Sequence, residues 1–207
     1  MPRPALHSTD GLLDVAREMV LTGGARSVRI DRIVSASGAP KGSIYHRFPT
    51  VDDLLAAMWV RAVRRSQAEF LEALRAEEDP VQDAVAAGFA LFDFARRNRP
   101  DARLLASLRG EDLVATTADA KMVTELNEIN KPLKAGLGAL ACRLYGRATR
   151  TTVEWTTCAV VDLPMGAMRR HLIMGRPVPT SVRSQLESAI PAALRSVLTQ
   201  THIGGLS

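Results

Sequence analysis

Cysteine is scarce in this 207-residue chain: Cys142 and Cys158 stand alone, without a C-x-x-C pair or Cys/His ligand spacing. That pattern leads to buried free thiols and to no metal site. Long apolar runs are also missing. The longest, Ala84 to Phe92, falls far short of the roughly 18 residues a membrane span needs. The start, MPRPALHSTDG, lacks the apolar segment of a signal peptide, so a cytoplasmic location without a membrane partner is expected. Catalytic constellations are absent as well. His7, His46, His171 and His202 are scattered, and no H-E-x-x-H, G-x-S-x-G or phosphate-loop pattern occurs. No enzymatic activity and no cofactor are expected.

What is present is apolar residues at helical spacing. Hydrophobic residues of all kinds make up 46% of the chain, enough for a substantial core. Leu12, Val15, Ala16, Met19 and Val20 predict a first helix over about 9–22, with Ser8 or Thr9 as cap and Gly23-Gly24 as stop. A second, about 28–36, ends at Gly38, and a third opens at Pro40 and closes before Pro49. Thr50 with Asp53 three residues on caps a long fourth helix to about 76, and Asp79-Pro80 opens a fifth over about 80–97. Pro100 and Asp101 restart a short sixth. A seventh over about 117–145 must kink or break at Pro132, an eighth over about 149–174 bends near Pro164 and Gly166, and a ninth covers about 181–199.

Charge is unevenly placed along this all-α chain. The net charge is +5, yet residues 1–65 hold ten Lys/Arg against six Asp/Glu, and residues 66–207 hold 17 against 16. A basic N-terminal part fits an anionic partner, and charge alone would equally serve solubility.

The third helix carries the sharpest signal, GAPKGSIYHRF at 38–48. At about 100° per residue, Ile44 and Phe48 share one side, and His46 with Gly42 and Ser43 centre the other. Tyr45 and Arg47 flank it. Gly42 within a helix costs about 1 kcal/mol relative to alanine, so something must approach the backbone closely there. A DNA groove meets that description; a short solvated helix is the plain alternative.

Residues 28–58, VRIDRIVSASGAPKGSIYHRFPTVDDLLAAM, resemble the helix-turn-helix and following helix of the TetR family of transcriptional repressors. The resemblance rests on Lys41-Gly42-Ser43-Ile44-Tyr45-His46-Arg47-Phe48 and spans about residues 8–60. It implies a DNA-binding domain of three helices at 1–50, joined by a long helix to a larger ligand-binding and dimerisation domain of helices at 51–207, about nine helices in all. It further implies that Lys41, Tyr45 and His46 grip phosphates, that Ser43 and the Gly42 backbone approach bases or phosphate, and that Arg29 reaches a neighbouring phosphate, with Arg47 at the groove wall. Where the family often has Ser-Lys, this chain has Thr50-Val51, which leaves Thr50 and the helix N-terminus for that contact.

The same resemblance implies a homodimer on a palindromic operator in double-stranded DNA, released by a small-molecule inducer. Leu172, Leu186, Ile190 and Leu194 would face a second copy, although each could equally fill the monomer core. Phe89, Phe92, Met122, Leu126, Trp155, Cys158, Met165 and Met168 could line a ligand cavity, with Glu125 or Asp162 as polar anchor; an apolar stripe is more often core. An adaptor of the same fold that answers to a protein partner is the competing reading.

Overall fold

Ser8 opens the fold, its hydroxyl accepting the Gly11 N–H at 3.0 Å to cap the first helix. The computed structural model describes residues 8–75 and 79–203, and the described residues contain helices and no strand. The helices are α1 (Thr9–Gly23), α2 (Ile30–Ser37), α3 (Lys41–Arg47), α4 (Val51–Arg75), α5 (Pro80–Arg97), α6 (Arg99–Ser107), α7 (Gly110–Thr116), α8 (Ala120–Glu128), α9 (Lys131–Tyr145), α10 (Arg150–Thr157), α11 (Leu163–Ile173) and α12 (Thr180–Ile203). A 3-10 turn, Ala25–Ser27, precedes α2, and a π turn, Cys158–Asp162, joins α10 to α11.

The described residues divide into two compact units: those up to 64 with 100–129, and those of 65–99 with 130 onward. In the first unit, Leu12, Ala16 and Val20 of α1 meet Ile30 and Ile33 of α2, Ile44 of α3, and Leu54 and Met58 of α4 in one buried cluster. Leu104, Leu113 and Leu126 extend it. Each fully buried aliphatic side chain contributes about 1.5–3 kcal/mol. Charged pairs fix the rim. Arg61 of α4 binds Asp10 at 3.0 Å and Asp14 at 2.6 Å, and Arg17 of α1 binds the buried Asp101 of α6 at 2.6 Å.

Like Asp101, Asp53 in the first turn of α4 is only 2% exposed. One carboxylate oxygen accepts the Thr50 hydroxyl at 2.7 Å and the Thr50 N–H at 3.1 Å; the other accepts the N–H groups of Ala118 and Asp119 at 3.2 and 3.0 Å. The Thr50 hydroxyl in turn accepts the Asp53 N–H at 3.0 Å, which completes the expected cap. The same carboxylate therefore anchors the segment between α7 and α8 to the start of α4.

In the second unit α12 packs on α5, and α10 on α9. Ala84, Ala87 and Gly88 keep α5 thin: a Cβ added at Gly88 would lie 2.3 Å from the Ile190 Cδ1. Leu172, Leu186, Ile190 and Leu194 are all buried within this one chain, so they are core and do not face a second copy. Their periodicity marks a buried side, and α5 takes it. Val197 and His202 on α12, and His7, have side chains outside the described residues, as does residue 76 at the expected end of the fourth helix.

Of the further expectations, one holds and three change. The seventh helix breaks in two as expected, α8 ending at Glu128 and α9 starting at Lys131 with Pro132 in its first turn, where a missing N–H is harmless. The eighth widens instead of simply bending: the Leu163 N–H reaches the Cys158 carbonyl five residues back, ahead of Pro164, which has no N–H to donate. Residues 110–116, given no element from the sequence, form α7, and a Cβ at Gly110 would lie 2.7 Å from the Trp59 ring. Both cysteines are exposed, not buried. Cys142 lies one step round α9 from the inward Ala141, and Cys158 precedes the inward Ala159 and Val160.

Burial pushes the Asp53 carboxyl up, but the bonds from Thr50, Asp119 and Ala118 outweigh it and hold the group below its ordinary 3.8. A depressed folded value gives stability that is present above the unfolded value and disappears as pH falls through the folded one. Asp53→Asn is expected to lower unfolding free energy by about 2 kcal/mol near neutral pH. The gap to the parent should close below about pH 4. Urea denaturation followed through Trp59 in a Trp155→Phe background measures it; a gap that stays constant from pH 7 to 3 would contradict the assignment.

Candidate nucleic-acid interface

Three devices hold α3 in place. Gly38 ends α2 in the left-handed region, φ 71°, a conformation that an L side chain resists. The buried Ser37 hydroxyl donates to the Ile33 carbonyl at 2.7 Å and accepts the Ala39 N–H at 3.1 Å, which fixes the turn. Ile44 and Phe48 are buried in the first unit's core. A helix of seven residues has no stability of its own, so this burial sets its orientation.

The opposite side is open. Lys41, Gly42, Tyr45, His46 and Arg47 are exposed, and Ser43 is half-buried. Tyr45, at 44% exposure, is one of three exposed large hydrophobic residues among those described. A Cβ added at Gly42 would meet no atom within 4 Å, as also at Gly138 and Gly166, whereas one at Gly88, Gly110 or Gly136 would strike a neighbouring side chain. No internal packing explains Gly42.

Arg29 stands exposed at the N-terminal boundary of α2. Thr50 differs: its hydroxyl proton is given to Asp53, so none is left for a phosphate oxygen, which accepts only. Val51 is half-buried and packs on the core. A contact that the sequence pattern does not disclose joins Lys41 Nζ to Asp31 Oδ1 at 2.9 Å. The hydrogen bond and charge of Asp31 raise the Lys41 pKa above its ordinary value.

The residues proposed for a ligand do not all share a unit. Met122, Glu125 and Leu126 belong to the first, where Met122 and Leu126 join the core and Glu125 pairs with Arg64. Phe89, Phe92, Trp155, Cys158, Asp162, Met165 and Met168 belong to the second. Phe92 and Met168 are fully buried there, while Cys158 and Asp162 are exposed. The Arg183 guanidinium covers the Phe89 ring 3.7 Å from its centre, itself 3.3 Å from Asp93. Trp155 meets the Tyr145 ring edge to face.

A helix, a glycine-capped turn and a second helix with one buried and one exposed side define a helix-turn-helix module within an all-helical chain. The sequence model of bacterial regulatory proteins of the tetR family matches residues 12–58, which cover α1 to the first part of α4. Solved structures agree in fold. PfmR, a TetR-family transcriptional regulator from Thermus thermophilus, is 14% identical, with a TM-score of 0.68 over 89% of this chain and 97% of its own. The fatty acid degradation regulator FadR from Bacillus halodurans is 13% identical, with the same TM-score over 90% and 98%. A transcriptional regulator from Rhodococcus is 18% identical, with a TM-score of 0.66 over 93% and 97%. No curated protein matches the sequence. Residues 12–58 thus match the TetR-family N-terminal domain, and the chain shares its fold with solved TetR-family regulators. Among the described residues no helix is long and apolar enough to cross a membrane.

Two neighbouring side chains on α3 should respond oppositely to removal. Ile44→Ala is expected to lower stability by about 3 kcal/mol. Tyr45→Ala should stay within about 0.5 kcal/mol of the parent. Chemical denaturation compares them; a large loss for Tyr45→Ala would make the tyrosine a packing residue.

Proposed function

We propose that the chain is a transcriptional repressor that binds a palindromic operator as a homodimer, with α3 as the element that enters the major groove. The observation that supports this most is Gly42: a glycine on the exposed side of a helix, with free space where a Cβ would lie. Such a residue weakens the helix by about 1 kcal/mol without helping any internal packing. Close approach of a partner to the backbone accounts for it. Lys41, Tyr45 and His46 are placed to grip phosphates, Ser43 and the Gly42 backbone to meet bases or phosphate, and Arg29 and Arg47 the groove walls. Thr50 takes part through the N-terminus of α4 more than through its hydroxyl.

A single module reads few base pairs, so two copies on half-sites one helical turn apart, about 34–36 Å, suit the short α3. With Leu186, Ile190 and Leu194 turned inward, a homodimer would use the outward faces of α11 and α12. Ile173 and Met174, 51% and 65% exposed at the end of α11, supply apolar surface there. For release, the second unit offers Phe92, Trp155, Met165 and Met168 to a small, largely apolar inducer. One structural neighbour regulates fatty acid degradation, which fits such a ligand. The inducer must bind the two states of the protein unequally to shift their balance. The adaptor reading draws support from Met122, Leu126 and Glu125, which are engaged inside the first unit, and from Phe89, which Arg183 covers.

Gly42→Ala separates stability from binding. The variant is expected to be more stable than the parent by about 0.5–1 kcal/mol. Its affinity for duplex DNA should fall. Denaturation and fluorescence anisotropy on the same preparation test both, and a stabilised variant that binds DNA unchanged would remove the close approach at residue 42.

A further inference from the structure

From Met19 to Val51 the chain has five basic residues, Arg26, Arg29, Arg32, Lys41 and Arg47, and a single acidic one, Asp31. That one carboxylate is not dispersed among them. It lies 2.9 Å from the ammonium of Lys41, ten residues on and across the turn. Both side chains are well exposed, so the pair adds little to folding. Neither group has a structural task that requires the other: α3 is held by Ile44 and Phe48, and the turn by Gly38 and Ser37. What the pair does alter is the state of the one lysine on α3 before any polyanion arrives.

We infer that Asp31 is a built-in competitor for the phosphate-binding lysine, holding Lys41 against α2 so that DNA must displace a carboxylate to engage it. This rests on the DNA-binding reading above. A phosphate that takes Lys41 releases its own counterion, but leaves Asp31 unpaired to collect a cation from solution. The net ion release from this contact is therefore smaller than one lysine would otherwise give. Because phosphate contacts carry no sequence information, the carboxylate weakens binding to every duplex alike, and non-cognate DNA relies most on such contacts. Asp31 thereby limits idle occupation of non-cognate DNA, where phosphate contacts are most of what holds the protein.

Four proteins test this: the parent, Asp31→Asn, Lys41→Ala and the double variant, each titrated with a random-sequence duplex by fluorescence anisotropy from 50 to about 200 mM salt. Asp31→Asn should bind roughly two- to fivefold tighter than the parent at low salt. Its affinity should also fall more steeply with salt, by up to about one ion. In the Lys41→Ala background the same Asp31 change should have little effect. An Asp31→Asn protein that binds no tighter, or a gain that is equal with and without Lys41, overturns the proposal while leaving DNA binding intact; the second result would assign the effect to general charge. Failure of all four proteins to bind duplex DNA in a salt-dependent way overturns the DNA-binding reading itself. Thermal unfolding of the exposed variants should match the parent and so exclude misfolding as the cause.

Discussion

Everything proposed for this chain depends on the burial of Ile44 and Phe48. A seven-residue helix does not persist in water, because nucleation fixes many dihedrals before hydrogen bonds accumulate. Here two side chains four residues apart sink into a core already formed by Leu12, Ala16, Ile30, Ile33, Leu54 and Met58. Their burial, about 3–6 kcal/mol together, is what holds α3. Turning those two inward leaves Gly42, Tyr45 and His46 outward, since residues on a helix cannot choose their faces independently. The exposed face is thus a consequence of the buried one.

That exposed face carries positive charge under local control. Lys41 and Arg47 give it an attraction for polyanions, and Asp31 subtracts from it at one point. The start of α4 is fixed by a different sort of electrostatics, in which a buried carboxylate is tolerated because four donors converge on it. Asp53 stiffens the first turn of α4, and Asp31 sets the state of a side chain that α3 presents. The two acids differ in exposure, and so in effect: one contributes to folding, the other to ligand competition.

Much of the fold was legible because its signals are local. Ser8, Gly38, the Thr50 and Asp53 pair, and Asp79 mark helix ends through bonds to residues two to four positions away, and each does so in the structure. The two sides of α3 were legible for the same reason. Contacts across long stretches of sequence were not. Nothing local reveals that Asp53 also holds the N–H groups of Ala118 and Asp119, or that Lys41 reaches Asp31. The face of α12 shows the limit of periodicity: Leu186, Ile190 and Leu194 had to be buried, but spacing cannot say whether the neighbour is α5 of the same chain or a second copy. The same ambiguity applies to the ligand residues, because an apolar helical stripe fills a core as readily as it lines a cavity.

The central claim is that α3, anchored by Ile44 and Phe48, reads duplex DNA. Selection of binding sites from random-sequence duplexes tests it most directly. Enrichment of an inverted repeat whose half-sites lie about one helical turn apart is the expected result. A pool that emerges from repeated rounds no different from the starting one would contradict it.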